Sequence, residues 1–239
     1  MSGHNKWSGI KHRKEAQDAK RANIFTKLAN LISIAAREGG GDLDSNFKLK
    51  MVVDKSRSFN MPKDNIERAI KRGTGELKDG AQIEEIIYEA YGPGGTAMLI
   101  KTATDNKNRT IGEIKNILTK AGGKMVPAGG VMHLFRQVGN INIPVSEENL
   151  DETELKAIEA GAEDTIFWDD TLTVYTKPNE LQKVKENLEN MGARAESADL
   201  VYDALQKTEL DQDEKIDYER LLEQLDENDD VQEVFDNIA

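Results

Sequence analysis

Up to Gly75 the apolar residues of this chain recur at a helical period, and beyond it they recur at a strand period, so no single regular architecture accommodates both. Over 14–38 the composition favours helix, and Phe25, Leu28, Leu31, Ile32 and Ala35 fall on one side of a 3.6-residue repeat. Gly39-Gly40-Gly41 ends that helix, and 42–45 offers N-cap chemistry to a second one bearing Phe47, Met51 and Val52. Pro62 suits the first turn of a third helix, whose apolar side is Ile66, Ala69 and Ile70 and whose stop is Gly73. Three helices with short links predict one small bundle.

Alternation takes over at 83–91 and 96–104, two strands joined through Gly92-Pro93-Gly94-Gly95 as a hairpin. A helix over 108–121 ends at Gly122-Gly123, and a strand over 131–138 follows a Pro/Gly-rich turn. From Asn140 the order becomes strand, helix, strand, strand, helix, strand, which is the ferredoxin-like βαββαβ pattern, with Asp169-Asp170 in the tight turn between the middle strands. After Asp211 an acidic stretch carries Leu221, Leu222 and Leu225, then Val231, Val234 and Phe235, at helical spacing. That tail needs a sheet to pack on, and the second unit has the incomplete helix layer. The expected fold is therefore α/β (α+β) in three domains: a basic helical domain over 1–75, a discontinuous α/β domain over 76–138 plus 204–239, and a ferredoxin-like domain over 139–203.

Net charge is −12, but the average hides an asymmetry. Residues 1–72 hold 16 Lys or Arg against 8 Asp or Glu, a net of +8, and the remainder holds 16 against 36, a net of −20. A basic end on an acidic body is what an oriented binder of phosphate needs, because the acidic surface repels a polyanion and leaves one approach. Charge segregation for solubility alone is the competing explanation. No apolar run is long enough for a membrane span, and the first residues lack the apolar stretch of a secretory signal, so a cytoplasmic location is expected. With no cysteine, disulfides, thiolate catalysis and Cys-ligated zinc are excluded.

The densest chemistry lies between Lys6 and Lys27, where Lys6, Lys11, Arg13, Lys14, Lys20, Arg21 and Lys27 face only Glu15 and Asp18. Residues 11–23 contain no apolar side chain larger than alanine, so this half of the long helix has nothing to bury in its own bundle. Its cations can neutralise phosphates and release counterions, Trp7 offers a face for stacking, and His12 can add a phosphate hydrogen bond. A solvated, frayed helix start with Trp7 tucked against the bundle would satisfy the same residues. A second cluster, Lys63, Arg68, Lys71 and Arg72, lies on the third helix, where Lys71 and Arg72 also suit the negative end of the helix dipole. Lys107 and Arg109 form a lesser candidate.

Catalysis finds little support. The histidines are His4, His12 and His133, without a His-Glu-x-x-His pair or an elbow around a serine, and the glycines at 92, 94 and 95 precede no Lys-Ser/Thr. No catalytic residue, metal site or cofactor is expected. Binding to DNA or RNA and, from a different class, an adaptor whose acidic half docks a basic protein both remain open.

Gly3-His4-Asn5-Lys6-Trp7, Ile10-Lys11-His12-Arg13-Lys14, Asp18-Ala19-Lys20-Arg21, Asn60-Met61-Pro62-Lys63-Asp64, Ile66-Glu67-Arg68-Ala69-Ile70-Lys71-Arg72-Gly73, Tyr91-Gly92-Pro93-Gly94-Gly95 and Thr104-Asp105-Asn106 together resemble the YebC family. The motifs cover about the first half of the chain. The sequence departs from the family pattern at Asn5 and around 124–133. The resemblance implies three domains and a DNA-binding transcriptional regulator. Relatives also act in translation: the mitochondrial member activates synthesis of cytochrome c oxidase subunit I, and bacterial members are linked to ribosomes stalled on proline-rich stretches. Nucleic acid, whether DNA or ribosomal RNA, is thus the implied partner, with the ribosome as an alternative. The sequence does not specify an oligomeric state, and a monomer is compatible with it.

Overall fold

The computed structural model describes residues 18–77 and 82–239, with side chains from Ala22 onward. The described residues of Met1–Arg136 and Asp203–Ala239 form one compact unit, and Gln137–Tyr202 form a second. No helix among them is long and apolar enough to cross a membrane.

Three helices open the first unit: α1 (Asp18–Gly39), α2 (Phe47–Ser58) and α3 (Lys63–Gly73). Their core joins Leu28, Ile32, Ala35 and Ala36 of α1 to Leu49, Val52 and Val53 of α2 and to Ile66 and Ala69 of α3. Asn46, rather than a residue of 42–45, caps α2: its Oδ1 accepts from the Leu49 amide at 3.0 Å. Its Nδ2 donates to the carbonyls of Ala35 (2.8 Å) and Gly40 (2.7 Å), so one amide ties the end of α1 to the start of α2. A Cβ at Gly39 would sit 2.7 Å from that side chain, and one at Gly73 would sit 2.3 Å from the Ser33 carbonyl. Both glycines therefore permit close approach of backbones.

The same unit contains an antiparallel sheet of order β3-β1-β2-β8, built from β1 (Glu84–Tyr91), β2 (Ala97–Thr104), β3 (Lys124–Val126) and β8 (Val231–Asp236). Helices α4 (Lys107–Lys120) and α7 (Gln212–Glu227) pack on it. Ile114 and Leu118 from α4 and Tyr218, Leu221, Leu222 and Leu225 from α7 meet Ala90, Met98, Ile100, Val231 and Val234 in one core. Each such leucine contributes on the order of 1.5–3 kcal/mol. Val231, Val234 and Phe235 were expected on a helix; they lie on β8, all six residues of which are buried. Two-sided burial removes the alternation that marks a strand, leaving an apolar spacing that imitates a helix. β3 escapes the sequence pattern because it has three residues. The expected break between 138 and 141 is also absent: β4 (Phe135–Pro144) runs straight through it and carries the chain from the first unit into the second.

In the second unit, β4, α5 (Leu150–Ala160), β5 (Asp164–Trp168), β6 (Thr171–Thr176), α6 (Leu181–Asn190) and β7 (Ser197–Ala204) form a sheet of order β5-β6-β4-β7. This is the ferredoxin-like arrangement read from the sequence. Asp169 and Asp170, at φ of 48° and 54°, form the two-residue turn between β5 and β6. The expected class, α/β with a helical N-terminal domain and two α/β domains, is the one observed.

Candidate nucleic-acid interface

Lys6, Trp7, Lys11, His12, Arg13 and Lys14 lie outside the described residues. Lys20 and Arg21 belong to the first turn and a half of the described part of α1, where only the backbone is described.

Among the described side chains of α1, Asn23 is the first that bonds to α7. Its Nδ2 donates to the Glu227 carbonyl at 3.2 Å, and one turn on Lys27 donates to the Asp226 carbonyl at 2.6 Å and to Asp226 Oδ1 at 3.0 Å. These carbonyls belong to the last turn of α7, whose negative dipole end Lys27 and Asn23 cap from another element. Lys27 is 5% exposed. Burial pulls its pKa below the ordinary value, against the opposing pull of the Asp226 and Asp229 carboxylates. The expectation that Lys27 meets a phosphate is thereby corrected, because its ammonium is enclosed and already committed. The sequence held no sign of this, since its partner is 199 residues away.

On α3, Lys63 and Lys71 are exposed, as is Arg68. Lys63 pairs with Glu67 at 3.5 Å, which dilutes the positive potential of that surface. Arg72 turns inward instead: Nε donates to Ser33 Oγ at 3.0 Å, and Nη2 donates to the Ala29 carbonyl at 3.2 Å and to Asn30 Oδ1 at 3.0 Å. It ties α3 to α1 rather than capping its own helix. Burial, followed by the nearby Arg68 charge, lowers its pKa.

Arg72 also faces a cleft of about 640 Å³ whose walls include Asn30, Asp105, Arg109, Asp229 and Asp230. Arg109, in the first turn of α4, donates to both Asp230 oxygens at 2.9 and 3.1 Å and to Asp105 at 3.1 Å. Asp230 also accepts from Thr104 Oγ1 (3.1 Å) and Thr110 Oγ1 (2.7 Å). Lys107 pairs with Glu84 at 2.7 Å. Lys107 and Arg109 are each matched by a carboxylate, and Asp105, Asp229 and Asp230 line the cleft beside Arg72, which leaves little unbalanced positive charge for a phosphate. Sequence reasoning missed Asp230 as the hub, because its partners on β2 and α4 are more than a hundred residues distant.

Glu89 is a second buried anion that periodicity could not assign. Its carboxylate accepts from the amides of Gly129 (2.6 Å), Val131 (2.7 Å) and Met132 (2.8 Å), fixing the segment that leads into β4. Burial alone would raise its pKa, but the three N–H donors together outweigh it and the pKa is lowered. Among the described residues no group of three or more His, Cys, Asp or Glu side chains is arranged to hold a metal ion.

Two family models match the chain, the TACO1/YebC protein N-terminal domain over residues 5–76 and the TACO1/YebC second and third domain over 83–238. A protein of Fervidobacterium nodosum named probable transcriptional regulatory protein is 50% identical, over 99% of this chain and 93% of its own length. One of Shewanella oneidensis with the same name is 46% identical, over 99% and 95%. The crystal structure of a conserved hypothetical protein from Aquifex aeolicus, 42% identical, superposes with a TM-score of 0.88 over 96% of this chain and 95% of that one. With both models matched along nearly its whole length, the chain belongs to the TACO1/YebC family.

Proposed function

We propose that this protein is a regulator of gene expression that acts by binding nucleic acid, and DNA in particular, through the basic segment from Lys6 to Arg21. The observation that carries the reading is the position of the first anchor on α1. Lys6, Lys11, Arg13, Lys14, Lys20 and Arg21 all precede Asn23, the first of the described side chains to bond to α7, and residues 11–22 have no apolar side chain larger than alanine to bury. Cations without an apolar face of their own suit a polyphosphate surface, while the acidic remainder repels it. Trp7 adds a stacking face and His12 a hydrogen bond, and Lys63 and Lys71 of α3 extend the surface at lower charge density. The names of the relatives support transcription as the process.

The test is the triple substitution Lys11→Glu, Arg13→Glu and Lys14→Glu, assayed by fluorescence anisotropy on duplex DNA and on structured RNA. Loss of duplex binding with an unchanged unfolding midpoint is expected. Duplex binding that survives the triple change would refute the reading, and a loss seen on RNA alone would move the target to RNA.

A further inference from the structure

The ferredoxin-like unit has a surface that the nucleic-acid reading does not use. Gln137–Tyr202 carries 5 Lys or Arg against 15 Asp or Glu, a net of −10, so a polyanion is repelled from it. Along its sheet, β5 is an edge strand among the described residues: β6 pairs with one side and no strand with the other. The side chains of β5 alternate, with Thr165 and Phe167 half-buried and Asp164, Ile166 and Trp168 exposed on the opposite side. Trp168 is 53% exposed and Ile166 39%. Two residues apart on one strand, they form a single apolar step, and indoles are enriched among the residues that dominate binding at protein interfaces. At the ends of that step stand Asp164, Asp169 and Asp170, all exposed and without an ion pair among the described residues.

We propose that the β5 edge, with Ile166 and Trp168 as its apolar step and Asp164, Asp169 and Asp170 around them, docks an extended, arginine-rich segment of a partner protein. The occupant is set by charge complementarity. The free side of β5 accepts a strand through backbone hydrogen bonds, the indole face accepts a guanidinium, and the aspartates meet the remaining cations. Alternate residues of such a strand point to one face, so a basic residue at every second position reaches both Trp168 and the carboxylates. The protein would then bind nucleic acid through its basic N-terminal segment and a basic protein through its ferredoxin-like unit.

The test uses the full chain and a dye-labelled synthetic peptide alternating Arg with Val, with binding read by fluorescence anisotropy. Trp168→Thr keeps a strand-forming residue and should weaken the peptide roughly tenfold. Asp169→Asn with Asp170→Gly keeps the turn in its preferred residues and should weaken it severalfold, with a shallower salt dependence. Duplex DNA binding should stay unchanged in both. The proposal is overturned if the peptide fails to bind, if both variants hold it as tightly as the parent chain, or if Trp168→Thr weakens DNA instead. It is likewise overturned if the Lys11, Arg13 and Lys14 reversal tightens the peptide, which would make this chain's own basic segment the occupant. A dimer in sedimentation that Trp168→Thr abolishes would assign the edge to a second copy and also overturn it.

Discussion

Lys27 of α1 donates to both the backbone carbonyl (2.6 Å) and the carboxylate (3.0 Å) of Asp226, at the last turn of α7. A cation in the most basic stretch of the chain is thus a fastener between the helical domain and the C-terminal helix. Lys27→Met keeps the stem and removes the charge, leaving the Asp226 carbonyl without that donor. Urea unfolding should show a loss of roughly 1.5–3 kcal/mol, the usual range for a charged hydrogen bond, while DNA affinity measured below the transition stays unchanged. A variant as stable as the parent with weakened DNA binding would return Lys27 to the phosphate surface.

Asp230 gathers Arg109, Thr104 and Thr110 at one buried carboxylate. Asp230→Ala removes the acceptor that Thr104, Thr110 and Arg109 share, although Thr110 keeps the Asn106 carbonyl and Arg109 keeps Asp105. Because the Arg109 side chain is 45% exposed and finds water readily, the expected cost is roughly 2–3 kcal/mol rather than the larger penalty of a fully buried pair. Calorimetry should record this as a fall in Tm of about 4–12 °C for a chain of this size.

Glu89 supplies the acid sensitivity of the segment 127–134. Its folded-state pKa lies below the ordinary carboxylate value, so its stabilisation is present in full above the unfolded pKa and is lost as pH falls through the folded one. Amide exchange of Gly129, Val131 and Met132, corrected for intrinsic rates, should therefore show protection weakening only on the acid side of the normal Glu range. Glu89→Gln should weaken that protection at neutral pH and flatten its pH dependence over the same window.

Binding through the N-terminal segment should depend steeply on salt. If about five phosphates are neutralised, log K plotted against log salt falls with a slope of about −4.5 on duplex DNA and about −3.5 on single strands. Replacing Lys20 and Arg21 together with Gln should flatten the duplex slope by about two, whereas Lys27→Met should not change it. Salt-independent binding would contradict a phosphate-based grip.

Particular elements explain how much could be read in advance. The helices, the β1–β2 hairpin and the βαββαβ order were legible because each carries its own period and its own stop, such as Gly73 or the Gly92–Gly95 turn. β8 was not, because a strand buried on both sides has no polar alternation to display. The basic cluster was legible as charge density, but its inward members, Lys27 and Arg72, were indistinguishable from Lys71 by composition. Their roles depend on Asp226 on one side and on Ser33, Ala29 and Asn30 on the other.

Sequence alone determined the local quantities: the period of each segment, the places where it stops, the excess of cations before Asn23 and the acidity of the chain beyond the helical domain. Tertiary structure decided that Lys27 and Arg72 turn inward to partners of their own, that the tail closes the first sheet as β8, and that Trp168 stays open on the edge of the second. The reason is physical. Backbone preference and charge density are summed over neighbours in the chain, whereas burial and hydrogen-bond partnership are set by neighbours in space, here as far apart as Lys27 and Asp226.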